Sequence, residues 1–237
     1  MIVHRLRGLL PTPLKRMLSS LGVGRFTRRF DPLRDPSHVW RLPDGTRFRA
    51  PREADWQYVT GDYEPHIREA IVASLPRGCT AVDAGAHIGY LSLVMAQTAG
   101  RVLAIEPDPE NAQILRDNVA LNDWAHIDVI EAAIGDKDGT AFLARGRSSF
   151  EGRLAAVGAP VRTVTLASIA PDALFVKIDV EGADDRAIAG MGSLLGQATV
   201  LVELHDTSGR RALQLLSAAG YLSRWISDRH VLASPER

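Results

Sequence analysis

Cysteine is almost absent: Cys79 is the only one in 237 residues. A single thiol excludes an internal disulfide and any cysteine-built metal centre, so it reads as a small hydrophobe opening a strand. Aromatic residues are also scarce, at 6%. No apolar run approaches the roughly 18–20 residues needed to cross a bilayer, so no transmembrane helix is predicted. The start, MIVHRLRGLLPTP, carries basic residues, but Pro11 and Pro13 cut its apolar stretch short. That pattern argues against a signal peptide and for a cytoplasmic protein. Internal repeats and low-complexity tracts are lacking as well. What remains, 46% hydrophobic and 24% charged, suits one large α/β domain with a short accessory segment rather than a disordered or fibrous chain.

Net charge is zero, yet it is unevenly spread. Residues 1–30 hold Arg5, Arg7, Lys15, Arg16, Arg25, Arg28 and Arg29 and no acid, a formal +7. The rest keeps 21 basic against 28 acidic groups, a formal −7. Such an arm suits nucleic acid, an anionic surface or the acidic body itself. Leu6, Leu9, Leu10, Leu14, Met17, Leu18 and Leu21 recur at helical spacing, which favours docking on the body or on a second subunit. The arm and a C-terminal hairpin are the candidate contacts of a homodimer.

Residues 39–50 predict a β-hairpin about a Pro-Asp-Gly turn. Together with the arm they make a segment 1–50, followed by a catalytic domain over 51–237. Pro65 suits a first helical turn, and that helix ends before Pro76. From Cys79 strands and helices alternate. The predicted strands are CTAVDA, RVLAIE (101–106), IDVIEAAI (127–134), a shorter GTAFLA (139–144), VRTVTL, LFVKIDV (174–180) and TVLVELH (199–205). Helices are expected over 88–99, after an Asp108 N-cap with Pro109 at N1, over about 183–195, and in RRALQLLSAA up to Gly220. Residues 145–160 read as a surface loop. YLSRWI and HVLASP form a closing hairpin. Strand–helix alternation implies a parallel sheet covered on both faces, and the hairpin supplies an antiparallel last strand.

Ligands of open α/β sheets sit beyond the carboxyl ends of the strands. The first such end reads Val82-Asp83-Ala84-Gly85-Ala86-His87-Ile88-Gly89. Gly85 permits a tight turn and close backbone approach to a ligand, while Gly89 lets the next helix sit near the strand. Glu106, 17 residues beyond Gly89, can accept both hydroxyl protons of a ribose. A dinucleotide loop requires Gly-x-Gly-x-x-Gly and a bare helix end for pyrophosphate. Here the spacing is Gly-x-x-x-Gly and Asp83 precedes it. That carboxylate repels pyrophosphate but welcomes an ammonium and a sulfonium, so S-adenosylmethionine is favoured over NAD.

The segments GDYEP, VDAGAHIGYLSL, AIEPDPENAQILRDNVALN, AAIGDKDG, VKIDVEGAD and VELH stand in an order that resembles the FkbM-type S-adenosylmethionine-dependent methyltransferases. The resemblance covers roughly residues 58–205. It implies a Rossmann-like class I methyltransferase fold, a mostly parallel seven-stranded sheet with an antiparallel last strand, and methylation mostly of hydroxyl groups. It places Tyr63 and Glu64 at the methionine end of the cofactor and Asp83, Gly85 and Gly89 in its loop. Glu106 would hold the ribose with Pro107 and Asn111 beside it, and Ala133 and Ile134 would flank adenine. Two positions depart from the family pattern: His87 and Glu131 stand where asparagine is usual. An imidazole contacting the cofactor would have to be neutral, because a protonated one opposes the sulfonium.

An alcohol acceptor must be aligned and deprotonated. The fourth and fifth strand ends offer Asp179, Glu181, Glu203 and His205. His205 is the candidate general base, because an unperturbed imidazole titrates near pH 6.5. Asp179 could orient the substrate, hold the cofactor amine or ligate a divalent metal. These four are hard ligands compatible with Mg²⁺, although no paired-histidine spacing accompanies them. The reading is thus an O-methyltransferase acting on a hydroxyl of a small molecule or sugar. Two alternatives remain: an RNA or N-methyltransferase using the basic arm, and a catalytically silent cofactor-binding module. The first is disfavoured by Ile178-Asp179-Val180-Glu181-Gly182, which lacks the Pro-Pro-aromatic run of exocyclic-amine methylases, and by the acidic body. Trp56 and Phe150 are candidate acceptor-pocket residues.

Overall fold

A computed structural model describes residues 37–52, 55, 57–60, 63–144 and 152–236. The basic arm, Trp56 and Phe150 lie outside the described residues. β1 (Val39–Arg41) and β2 (Arg47–Arg49) form the hairpin about the Pro-Asp-Gly turn, with Trp40 opposite Phe48. Asn122 and Asn118 fasten it to the body by accepting the backbone N–H groups of Arg47 and Arg49, at 2.8 and 2.7 Å. A short helix α1 (Gln57–Thr60) follows, then α2 (Pro65–Ser74), with Pro65 in its first turn.

β3 (Thr80–Ala84), α3 (Tyr90–Ala96), β4 (Arg101–Ile105), α4 (Pro109–Ala120) and β5 (Ile127–Ile130) make the first half of the domain. Asp108 caps α4 by accepting the N–H groups of Glu110 and Asn111, which leaves Pro109 at a position needing no donor. The strand expected over 127–134 is broken. Its last bond to the main sheet runs from Glu106 N to Ile130 O, and β6 (Ala133–Ile134) then joins a different sheet.

That second sheet was not legible as such. β7 (Gly139–Ala144), β8 (Arg153–Ala155) and β9 (Ala159–Val164) assemble with β6 in the order β6-β9-β7-β8. Residues 152–160 are therefore largely strand and turn rather than loop, while 145–151 lie outside the described residues. After a short helix α5 (Leu166–Ile169) come β10 (Ala173–Ile178) and α6 (Asp184–Ala189). The helix expected to reach 195 stops at Gly190, where any Cβ would lie 2.1 Å from the carbonyl of Gly135. A single 3-10 turn over Gly192–Leu194 completes the segment. β11 (Thr199–Glu203), α7 (Asp206–Ala218), β12 (Tyr221–Trp225) and β13 (His230–Pro235) end the chain.

The main sheet has the order β12-β13-β11-β10-β3-β4-β5. β10, β11, β3, β4 and β5 pair in parallel, and β13 runs antiparallel between β11 and β12. Alternation divides the core. Val82, Ala84, Val176 and Ile178 pack on one face against Ala187, Ile188, Ala212 and Leu216 of α6 and α7. Ala81, Phe175, Val102 and Ala104 pack on the other, against Ile67, Ile71, Leu93 and Leu115 of α2, α3 and α4. The chain builds outward from β3 to β5, returns, and builds the other way from β10. The switch point thus falls between β3 and β10, where such sheets hold ligands.

Candidate active site

One pocket opens at that switch point. It is lined by Tyr63, Asp83, Gly85, His87, Glu106, Pro107, Asn111, Ala133, Ile134, Asp179 and Glu181 among the sequence candidates. Gly89, Glu64 and His205 do not line it. At φ +92°, Gly89 lies where a Cβ would meet Leu115 Cδ1 at 2.2 Å, so its role is helix packing. Glu64 faces His230 instead, with Oε1 3.8 Å from Nε2.

The loop after β3 is held from below. Asp83 is fully buried and accepts from Ser92 Oγ at 2.6 Å. Its register partner on β10 is Lys177, whose ammonium is 3.2 Å from Asp83 Oδ1, 3.4 Å from Asp179 Oδ2 and donates to Gly85 O at 3.0 Å. Burial works against that charge, but the two carboxylates hold the ammonium well above the usual lysine range. The sequence reading missed Lys177. Its one signal was a charge inside the apolar run Leu174–Ile178.

Glu106, 6% exposed, accepts from Asp108 N and His87 N at 2.9 Å each and from Asn111 Nδ2 at 3.4 Å. Burial outweighs those donors and lifts its carboxyl to about 7. His87 adopts a left-handed backbone (φ 50°). Its Nδ1 lies 2.9 Å from Tyr58 Oη and its Nε2 3.4 Å from an Arg52 guanidinium nitrogen. Burial first, then the cations of Arg52 and Lys177, push the imidazole down to about 3, so it is neutral at physiological pH. Glu131 points away from the pocket and pairs with Arg116 at 3.0 Å on the surface. Tyr58 and Tyr90, unmarked in the sequence, line the pocket beside Tyr63, with the Tyr58 and Tyr63 rings 4.4 Å apart. Leu143, Gly152 and Leu154 of the second sheet's strands and loop close its far side.

At the other end stand the acid–base groups. His205 Nε2 is 3.7 Å from Glu181 Oε2 and 3.9 Å from Glu203 Oε1, and Nδ1 is 3.1 Å from Asp184 Oδ1. Burial lowers the imidazole's affinity for a proton. The hydrogen bond and charge of Asp184, with Asp179 and Glu203, overcome this and raise it to about 9. Glu203 is also buried, yet His230, Arg229 and His205 pull its carboxyl down to about 2. Burial raises Asp179 and Glu181. Asp179, Glu181 and His205 bring potential ligand atoms within 4.8 Å of one another, as do Glu64, Glu203 and His230. Cations already serve these carboxylates: Lys177 at Asp179 and Arg229 at Glu203, 3.0 Å away. We assign no metal to either cluster.

The fold is that of the Rossmann-like class I methyltransferases. The profile of the methyltransferase FkbM domain matches residues 83–223, and the chain belongs to that family. Among solved structures, the FkbM methyltransferase of Methylobacillus flagellatus KT is 22% identical with a TM-score of 0.49. The match covers 66% of this chain and 43% of that one, so the protein spans less than half of that relative. The precorrin-6y C5,15-methyltransferase of Geobacter metallireducens is 16% identical with a TM-score of 0.50, covering 73% and 90%. An rRNA methylase of Streptococcus thermophilus is 9% identical with a TM-score of 0.48, covering 70% and 91%. Comparison with the curated proteins found no match. Among the described residues no helix is long and apolar enough to cross a membrane.

Proposed function

We propose that the protein is an S-adenosylmethionine-dependent methyltransferase that methylates a hydroxyl group of a small molecule or sugar. The observation that carries this is a single pocket joining the buried Glu106 carboxylate to the Asp83–Gly85 loop and the Asp179–Glu181 strand end. The pocket fits the cofactor chemically. Glu106 Oε2 takes only the His87 N–H and keeps a lone pair for a ribose hydroxyl, while Oε1 takes the Asp108 N–H and the longer bond from Asn111 Nδ2. Asp83 and Asp179 set two carboxylates against the one Lys177 ammonium, which leaves a negative pocket wall suited to a cationic amino-acid end. Apolar Ala133 and Ile134 suit a planar base. The bound cofactor would supply a methyl group made electrophilic by the sulfonium.

The chain's own part is to bind, orient and take one proton. Asp179 and Glu181 accept hydrogen bonds from acceptor hydroxyls, and His205 Nε2 receives the proton of the hydroxyl that reacts. The carboxylates at this end, Asp179, Glu181 and Glu203, select a neutral or amine-bearing polyol over a phosphate-rich acceptor, since like charges repel in a partly desolvated cleft. That charge pattern counts against an RNA acceptor.

Calorimetric titration with S-adenosylhomocysteine, alongside NAD and a Glu106→Ala variant, tests the cofactor assignment. Saturable binding to the wild type, lost in the variant and absent for NAD, is expected. Absence of binding in folded protein free of co-purified cofactor would leave a methyltransferase-like scaffold put to another use. A mass gain of one methyl on a polyol acceptor tests the reaction itself, and transfer confined to RNA would replace the acceptor class.

A further inference from the structure

Asp184 was not singled out in the sequence, and it does not line the pocket. It is nonetheless fully buried and built into the acid–base end of the site. Its two oxygens are used differently. Oδ2 lies 2.8 Å from the His205 backbone N–H and 2.9 Å from Ser208 Oγ. Those two donors, one on each side of the turn into α7, fix the plane of the carboxylate. Oδ1 is left for the imidazole alone, 3.1 Å from Nδ1.

We propose that Asp184 is the positioning residue of His205: it holds the proton of the neutral ring on Nδ1, so that Nε2, on the side of Glu181 and Glu203, carries the lone pair whenever the ring is unprotonated. The inference rests on His205 being the base. A carboxylate has no proton to give, so Nδ1 must be the donor in this pair. Neutral imidazole carries only one N–H, so a proton fixed on Nδ1 makes Nε2 the lone-pair nitrogen. Nε2 is also the nitrogen nearest Glu181 and Glu203. The same division of labour, with a buried carboxylate choosing the tautomer of a general base, operates in catalytic triads. The groups around the ring are Asp184 from α6, Asp179 and Glu181 after β10, and Glu203 from β11. Arg229 of the last hairpin and His230 stand behind Glu203. Of these only Asp184 contacts Nδ1, so it alone sets the tautomer while the others tune the charge.

The test needs no acceptor. Long-range proton–nitrogen correlation spectra of the ¹⁵N-labelled full chain, from pH 6.5 to 10, report the tautomer and titration of each histidine. The signals lost in His205→Gln identify His205. In the wild type its deprotonated form is expected to be the Nδ1–H tautomer, with a midpoint near 9. In Asp184→Asn the two donors now on Oδ2 claim the single amide oxygen, so the amide NH₂ faces Nδ1. The deprotonated ring is then expected to switch to Nε2–H, with a midpoint lower by more than one unit. Ser208→Ala keeps the carboxylate and is expected to keep the wild-type tautomer. An Nε2–H form in the wild type overturns the proposal, and so does an unchanged tautomer in a folded Asp184→Asn protein. Binding of S-adenosylhomocysteine reports whether that variant is folded, and if it is not, the wild-type tautomer decides by itself. Full methyl transfer by His205→Gln would remove the base and leave the tautomer result standing, so the two ideas fail separately.

Discussion

Gly85 and Asp179 meet backbone to backbone at the switch point: a Cβ on Gly85 would lie 1.7 Å from the Asp179 carbonyl oxygen. The glycine that the sequence suggested for close approach to a ligand thus approaches a neighbouring strand as well. It brings the end of β3 against the end of β10, which places Asp83 and Asp179 on either side of Lys177.

Gly85→Ala therefore meets two obstacles, a left-handed backbone (φ +80°) and a carbonyl that cannot move without β10. Left-handed strain costs about 1–3 kcal/mol and overpacking a further 1–3 kcal/mol. Gly182→Ala is the control, since it shares a positive φ (+86°) but has nothing within 4 Å of the added Cβ. Urea denaturation should show a loss of about 3 kcal/mol or more for the first and about 1 kcal/mol for the second. Equal losses would mean that the strand contact is soft.

Lys177 is the buried counter-charge for two carboxylates, so Lys177→Met should destabilise the fold by about 3–5 kcal/mol at neutral pH. The sign of its pH dependence follows from Asp179. Burial already raises that group, and Lys177 is what restrains it. Without the ammonium its folded-state pKa rises further above the unfolded value, and protonation then favours the folded state. The deficit relative to wild type should shrink as pH falls from 7 to 5, in paired denaturation curves. A constant deficit would place the cost in packing rather than charge.

Much of the site was legible because its residues sit at strand ends, where alternation and turn chemistry speak locally. Asp83, Gly85, Glu106 and the Asp108 cap are of this kind. Lys177 and Asp184 were not, because their meaning is a partner on another element: Asp83 across a strand pair, His205 across 21 residues. The second sheet escaped for a different reason. β6 has two residues and β8 three, too short for alternation to show, and most side chains of β8 and β9 are exposed or half-buried. The break after Ile130 carried no proline or glycine to mark it. Nothing short of the tertiary fold separates Ile127–Ile130 from Ala133–Ile134.

Glu106 makes cofactor binding pH-dependent. Ribose hydroxyls donate to a carboxylate, so the ionised form is the one that binds. With its carboxyl raised to about 7, Glu106 passes from mostly ionised at pH 8 to mostly protonated at pH 6. S-adenosylhomocysteine, which lacks the sulfonium and so isolates this effect, should bind about tenfold more weakly at pH 6 than at pH 8. Calorimetry across that range should show the slope in the wild type, and weak, pH-independent binding in Glu106→Gln. A wild-type affinity that does not change between pH 6 and 8 would assign the ribose to other groups.

His205 should govern the rate in the opposite half of the pH scale. A general base works in its unprotonated form, and an imidazole held at about 9 is only about 1% unprotonated at pH 7. Methyl transfer to a hydroxyl should therefore rise with pH, close to tenfold per unit at the acid end, before levelling off. A cationic cofactor beside the carboxylate cluster opposes the imidazolium, so the plateau should arrive below pH 9 in turnover and nearer 9 in the free protein. His205→Gln should lower kcat by about 10²–10⁴ and abolish the slope, leaving KM for the cofactor unchanged, because His205 stands outside the cofactor-lining residues. Initial rates from pH 6.5 to 9.5 at constant ionic strength decide the matter. A profile that is flat above pH 7 in the wild type would mean that the hydroxyl loses its proton to another group, and the carboxylates Asp179 and Glu181, raised by burial, would be the next to test.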